Sequence, residues 1–264
     1  MKLFWPKALF AFLALLVGLT LFAWFVLLRP IAQEPFGNPL TAFNHGSIGN
    51  EQRQGLPYWI WRVLPQMFPE YLPGRGDGYG AFGLFWMAGE EMPVGFAKKT
   101  LGVIPRVAPN CAFCHQGSYR LRADDPPTPV PGGPGTRVDP QAYLRFLARA
   151  GQDERFNGPA LMDAITAMYD MPLWERLLYR YLLIPLTKSA MQEQAGLYAW
   201  TEARPDWGPG RIDPFNPVKF DNLKINDDGT IGNSDMMPLW GFARVIGDGS
   251  RTIAFHWDLS LIHI

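Results

Sequence analysis

Cysteine is scarce in this chain. Its 264 residues include two, Cys111 and Cys114, which stand three positions apart. A disulfide framework would spread its cysteines along the chain, so disulfides contribute nothing to the expected fold. Histidine is nearly as scarce, with four residues: His45, His115, His256 and His263. Excess charge of one sign is missing too, since 24 basic residues meet 24 acidic ones. Nucleic acid is therefore not an expected partner, because no basic surplus exists to release its counterions. Proline (25) and glycine (27) are abundant but follow no period. That excludes a collagen-like chain and points to many turns and long irregular loops on a scaffold. The 48% apolar and 14% aromatic content, with ten tryptophans, excludes disorder, because burial on that scale offsets ordering entropy. The length allows one or two domains.

The first thirty residues read as a membrane signal. Lys2 and Lys7 precede an uncharged apolar run over residues 8–28, closed by Arg29 and Pro30. As a helix that run is roughly 30 Å long, the thickness of a bilayer's hydrocarbon core. A cleavable signal peptide has a shorter apolar core and a small-residue cleavage site. Here Ile31-Ala32-Gln33 is a poor site, so a retained anchor is expected. A buried core helix is a poor alternative, because the run is apolar on every face. Lys2 and Lys7 favour a cytoplasmic N-terminus. The expectation is a single-pass protein of a bacterial inner membrane, with residues 31–264 in the periplasm.

Asn110-Cys111-Ala112-Phe113-Cys114-His115 carries the chemistry. C-x-x-C-H is the attachment signature of c-type haem. Two thiols about one helical turn apart can each add across one vinyl group of the same porphyrin. The next residue then offers an imidazole to the iron. Cys111 and Cys114 are the expected attachment points of one haem c, and His115 its axial ligand. A redox dithiol is the weaker reading, since the surroundings are not a βαβ unit. Structural zinc would require four ligands, and the other histidines are far away in sequence.

Helical periodicity dominates the second half. Asp139 caps, Pro140 opens, and Tyr143, Phe146, Leu147 and Ala150 recur on one face before Gly151. Further helices are expected over residues 159–169, with Leu161, Ile165 and Met168 on one face, and over 173–184, with Glu175, Arg176 and Arg180 on the wet side. Another is expected over 188–200. Earlier, a helix of about two turns fits between Pro57 and Pro65. Residues 74–83, 123–135 and 204–218 read as loops, and no long alternating strand pattern competes. The expected class is mainly α: a cytochrome c-like haem domain with long irregular loops over 31–264, behind an anchor over 1–30.

Weaker signals concern the sixth iron ligand. His45 reads as a surface or capping residue ahead of a ligand, and Met236-Met237-Pro238 is a setting where a thioether could sit, though core packing is the commoner use of Met. Asn226-Asp227-Asp228-Gly229 lacks the carboxylate spacing of a calcium loop and reads as a turn. Trp257, in Phe255-His256-Trp257-Asp258, reads as packing or as an aromatic beside the haem.

Several stretches together are similar to a known group. They are Phe43-Asn44-His45-Gly46-Ser47-Ile48-Gly49, Gly55-Leu56-Pro57-Tyr58-Trp59-Ile60-Trp61, Arg106-Val107-Ala108-Pro109 before the haem motif, residues 204–219, and Ile231-Gly232-Asn233-Ser234-Asp235-Met236-Met237-Pro238-Leu239-Trp240. They resemble the N-terminal haem domain of rubber-oxygenase-like dihaem cytochromes, within the bacterial dihaem cytochrome c peroxidase superfamily. In that group one haem activates peroxide or dioxygen and the other passes electrons. The resemblance implies that His115 is the proximal ligand of the N-terminal haem and that Trp257 is an electron relay between two haems. It also implies a second C-x-x-C-H beyond Asp258, where this chain reads Leu259-Ser260-Leu261-Ile262-His263-Ile264. The expectation is thus the N-terminal half of a peroxidase- or oxygenase-like oxidoreductase, incomplete at its C-terminus. The alternatives are a monohaem, membrane-tethered cytochrome exchanging electrons with a periplasmic donor or acceptor protein, and a non-functional fragment.

Overall fold

A computed structural model describes residues 4–74 and 77–240. About half of the chain is helical, with some sheet. Helix α1 (Phe4–Ala23) continues through a π-helical turn, Trp24–Leu28. Within it Lys7–Leu28 is long and apolar enough to cross a membrane, and the domain buries none of it. Two short helices follow, α2 (Pro39–His45) and α3 (Asn50–Arg53), then strand β1 (Leu56–Pro57) and helix α4 (Tyr58–Met67). Strands β2 (Phe96–Leu101) and β3 (Ile104–Pro109) form a hairpin, and β1 joins it to give an antiparallel sheet of order β1-β3-β2. Leu56 faces Val107, and Leu101 faces Ile104 across the turn. The turn clasps the end of the N-terminal helix. Val103 N donates to Val26 O at 3.0 Å, and Ile31 N to Thr100 O at 3.0 Å.

Helix α4 does not stop at Pro65. It runs on to Met67 with Pro65 inside it. A proline there has no N–H for the carbonyl four residues back, which belongs to Trp61. Tyr79 Oη donates to that carbonyl instead, and the Tyr79 ring stacks on Trp61 at 4.1 Å. Tyr79 belongs to a 3-10 helix, Gly78–Phe82, inside the stretch expected to be loop. Trp61, Tyr79, Phe82, Phe96, Tyr143 and Phe146 form one aromatic core.

The short helix α5 (Cys111–Cys114) follows β3 directly, and strands β4 (Gln116–Tyr119) and β5 (Thr128–Pro131) pair after it. Neither the sheet nor this hairpin carries an alternating apolar pattern. β2 reads Phe-Ala-Lys-Lys-Thr-Leu, and the strands of the second hairpin are only half buried.

Helix α6 (Pro140–Gln152) matches its expectation. Asp139 Oδ1 accepts from Ala142 N at 3.0 Å, and Tyr143, Phe146 and Ala150 are buried. Helix α7 (Gly158–Thr166) ends before Met168, which is partly exposed and not on the buried face. Helix α8 (Leu173–Leu178), a π-helical turn Tyr179–Leu183, and α9 (Ile184–Leu197) form one continuous helical run. Here the expected orientation is partly reversed. Glu175 is buried, while Leu173, Trp174, Leu177 and Tyr181 are exposed.

Residues 204–218 are ordered by a buried carboxylate. Asp213 Oδ1 accepts from the backbone N–H groups of Phe215 and Asn216, and Oδ2 from Asn216 Nδ2 and Gly232 N. Strands β6 (Arg211–Ile212) and β7 (Ser234–Asp235) flank a last helical turn, α10 (Phe215–Pro217), which leads into a π-helical turn, Val218–Asn222. Asp227 and Asp228 form turns of their own, accepting from Gly229 N and Thr230 N, and pair with Arg204 and Lys219.

Candidate functional site

Helix α5 is a single turn that owes its shape to the residue before it. Asn110 Oδ1 caps it by accepting from Ala112 N at 3.0 Å. Asn110 Nδ2 reaches back to the carbonyls of Phe43, Asn44 and Gly46, at 3.2, 3.2 and 3.0 Å. One side chain therefore shapes the turn and ties it to the end of α2. Asparagine immediately before a turn is a capping signal, and the sequence carried it.

The turn has two faces. Ala112 and Phe113 are buried, and Phe113 packs edge-on against Phe96 at 5.5 Å. Cys111 is exposed and Cys114 partly so. Cys111 thus stands on the open side of the turn, while Cys114 packs partly against the core. Two glycines let other backbone come close. Gly95 has φ +90°, and a Cβ there would lie 2.5 Å from Phe113 Cα. A Cβ at Gly135 would lie 2.2 Å from Cys114 O and 2.9 Å from Met236 Sδ.

His115 follows the turn and is buried. Its Nδ1 lies 2.8 Å from the carbonyl oxygen of Met237. A carbonyl only accepts, so Nδ1 carries the proton and Nε2 keeps a lone pair in the neutral ring. This is how an imidazole is oriented when its other nitrogen binds a metal. Met236-Met237-Pro238 therefore does sit at the motif. It contributes a backbone carbonyl through Met237 and a buried side chain through Met236.

His45 is neither a surface nor a capping residue. It is buried in the last turn of α2, with Nδ1 3.4 Å from Phe96 O and Nε2 without a partner. Burial pushes its pKa below the usual imidazole value, partly opposed by Glu90 and by the Phe96 carbonyl. Arg137 is likewise lowered, first by burial and then by the like charge of Arg120. Among the described residues, neither arginine has a carboxylate partner. Nor do any three His, Cys, Asp or Glu side chains converge there as a shared metal ion would require. Trp257, His256 and His263 lie outside the described residues.

A c-type haem fits this arrangement. The two thiols bracket one helical turn, and the imidazole that follows keeps its Nε2 lone pair. Compared with known proteins, the chain matches no family model, no curated sequence and no solved structure.

Proposed function

We propose that this chain is a membrane-tethered c-type cytochrome domain that carries one haem on Cys111, Cys114 and His115 and passes electrons through it. The observation that carries the reading is the pairing of C-x-x-C-H on one capped turn with the His115–Met237 hydrogen bond. Cys111 and Cys114 would hold the haem through thioether bonds, each S–H adding across one vinyl group, and His115 would donate to its iron through Nε2. The haem supplies one-electron redox chemistry, with its potential set by axial ligation, hydrogen bonding and exposure. Met237 holds the His115 ring in one tautomer. Phe113 and the aromatic core form the dry wall behind the motif. Arg120 and Arg137 are the candidates to meet two propionates. The N-terminal helix would hold the domain at the outer face of a bacterial inner membrane, with a periplasmic donor or acceptor protein as partner.

A second reading makes the same site half of a dihaem oxidoreductase that would act on peroxide or dioxygen, with Trp257 as the relay. As the monohaem carrier proposed above it would only exchange electrons. The test is production in a bacterial host equipped for haem ligation. Mass spectrometry is expected to show a gain of one haem that C111S/C114S lacks. No gain in the parent chain would end the proposal. A spectrum of the loaded protein that changes with hydrogen peroxide would favour the oxidoreductase, and an unresponsive low-spin spectrum the carrier.

A further inference from the structure

The helical run from Leu173 to Leu186 is largely apolar on both sides. Glu175, Tyr179, Leu183 and Thr187, spaced four residues apart, are buried against the domain. Leu173, Leu177 and Tyr181, also four apart, are 73, 49 and 68% exposed, with Trp174 and Leu186 at 53 and 57% beside them. A surface helix of a soluble domain turns a polar face outward. A contiguous row of large exposed apolar side chains marks an interaction surface instead. Arg176 and Arg180 edge the row and are exposed too. An apolar face with Trp and Leu, edged by arginine, is the composition of a helix lying in a membrane interface, where Trp and Tyr sit at headgroup level.

What covers this face follows from where the N-terminal helix ends. Lys7–Leu28 has 22 residues. At a rise of 1.5 Å per residue it is about 33 Å long, so it has crossed a hydrocarbon core of about 30 Å by Leu28. In a bilayer, whatever stands beside Val26–Leu28 is therefore at the headgroup boundary. The domain is fastened at that level by backbone. Val103 N donates to Val26 O at 3.0 Å, and Gly102 N to Arg29 O at 2.6 Å. Trp174 shares a cleft with Val103 and Pro105. Leu186 lines a cavity with Leu27 and Leu28. One end of the run thus reaches the turn that holds the N-terminal helix, and the other faces the last residues of that helix across the cavity. Both ends stand near the depth of Val26–Leu28.

We propose that the outward face of residues 173–186 is a second membrane contact, bedded in the headgroup region of the bilayer that the N-terminal helix crosses. Leu173, Trp174, Leu177, Tyr181 and Leu186 meet the acyl boundary, and Arg176 and Arg180 lie among the lipid phosphates. Two contacts hold the domain in one orientation, where a single helix would let it swing. The Cys111–His115 turn then keeps a fixed aspect to the membrane. The proposal rests on reading the N-terminal helix as a bilayer anchor and is independent of haem loading.

Single full chains in nanodiscs of phosphatidylcholine brominated high on its acyl chains test it by tryptophan fluorescence. Comparison with unbrominated discs cancels quenching by any bound haem. Trp174→Phe is expected to remove a bromine-quenched component of the emission. Leu177→Glu with Tyr181→Glu replaces side chains that are already exposed, so thermal stability in detergent should hold. Quenching of the Trp174 component should fall about twofold or more in that variant, because a carboxylate resists the acyl boundary. A Trp174 component indifferent to bromine overturns the proposal, as does quenching that the two glutamates leave unchanged. Trp174 unquenched in single-chain discs, with chains that pair in liposomes and are separated by the two glutamates, would give the face to a second copy and overturn it too. Alkaline carbonate washing of membranes tests the anchor separately. A chain washed free would overturn the anchor reading and this proposal with it, whereas a retained chain with Trp174 unquenched would sink the second contact alone.

Discussion

His115 Nδ1 donates to the carbonyl oxygen of Met237, 122 residues further along the chain, at 2.8 Å. The bond joins the haem motif to the segment after β7, so the orientation of the imidazole depends on chain far from the motif. It also explains why the Met236-Met237-Pro238 stretch belongs to the site without a thioether being required there.

Replacing His115 with alanine should leave both thiols able to attach haem while removing the axial imidazole. The expected product carries one haem mass but has lost the low-spin absorption of the parent. An unchanged spectrum would refute His115 as a ligand.

Asn110→Ala removes a cap and leaves three carbonyls at the end of α2 without their side-chain donor. Loss of a cap alone costs about 0.5–2 kcal/mol. Thermal unfolding should show a loss at or above the top of that range, with a lower yield of haem-loaded protein. Asn110→Asp keeps the capping oxygen but turns a second, acceptor-only oxygen toward three carbonyls, so it should be at least as destabilising as the alanine. Equal stability of all three proteins would show that the brace is unimportant.

Gly95→Ala places a methyl group against the backbone of Phe113 at a residue with φ +90°. Strain of about 1–3 kcal/mol is expected from the backbone conformation alone. The steric conflict falls on the motif helix, so haem loading should drop more than for an equally destabilising change distant from it, such as Phe156→Leu. Loading that tracked stability alone in both variants would contradict this.

Tyr79→Phe removes the donor that serves the Trp61 carbonyl in front of Pro65. Leaving a buried acceptor unmet costs about 1–3 kcal/mol, measurable by denaturant titration. Tyr79→Phe combined with Pro65→Ala should recover part of that loss, because the alanine N–H can reach the Trp61 carbonyl. Failure of the pair to interact in a double-mutant cycle would argue against the bond.

His45 gives the fold a pH dependence of known sign. Its folded pKa lies below the ordinary imidazole value of about 6.5, because burial disfavours the charged ring. The unfolded chain therefore takes up the proton first as pH falls. Stability from this group is fully present above 6.5 and is lost as pH drops through the window beneath it. The melting temperature should fall over that window, and His45→Gln should flatten the slope. A slope of the opposite sign would overturn the assignment of a buried neutral imidazole.

Much of the scaffold could be read from local pattern, but not its orientation. The Asp139-Pro140 start of α6 and its buried Tyr143 and Phe146 follow from capping and periodicity, which act within a few residues. The run from Leu173 reads as a helix in the sequence, but its faces do not follow hydrophobicity. Glu175 turns inward and Leu173, Trp174 and Tyr181 turn out. The β2–β3 hairpin carries no alternating pattern because Lys98 and Lys99 interrupt it, and its pairing is fixed by β1 and by the end of the N-terminal helix.

The sequence by itself determined the apolar N-terminal helix, the Cys111–Cys114–His115 motif and the caps of the main helices, because these depend on residue identity and spacing over one or two turns. Tertiary structure alone decided which His115 nitrogen keeps its lone pair, that Tyr79 serves the carbonyl ahead of Pro65, and that Gln141 accepts from the backbone of Trp207. Those relationships join residues tens of positions apart, and their geometry exists only once the packed core and its hydrogen bonds have brought them together.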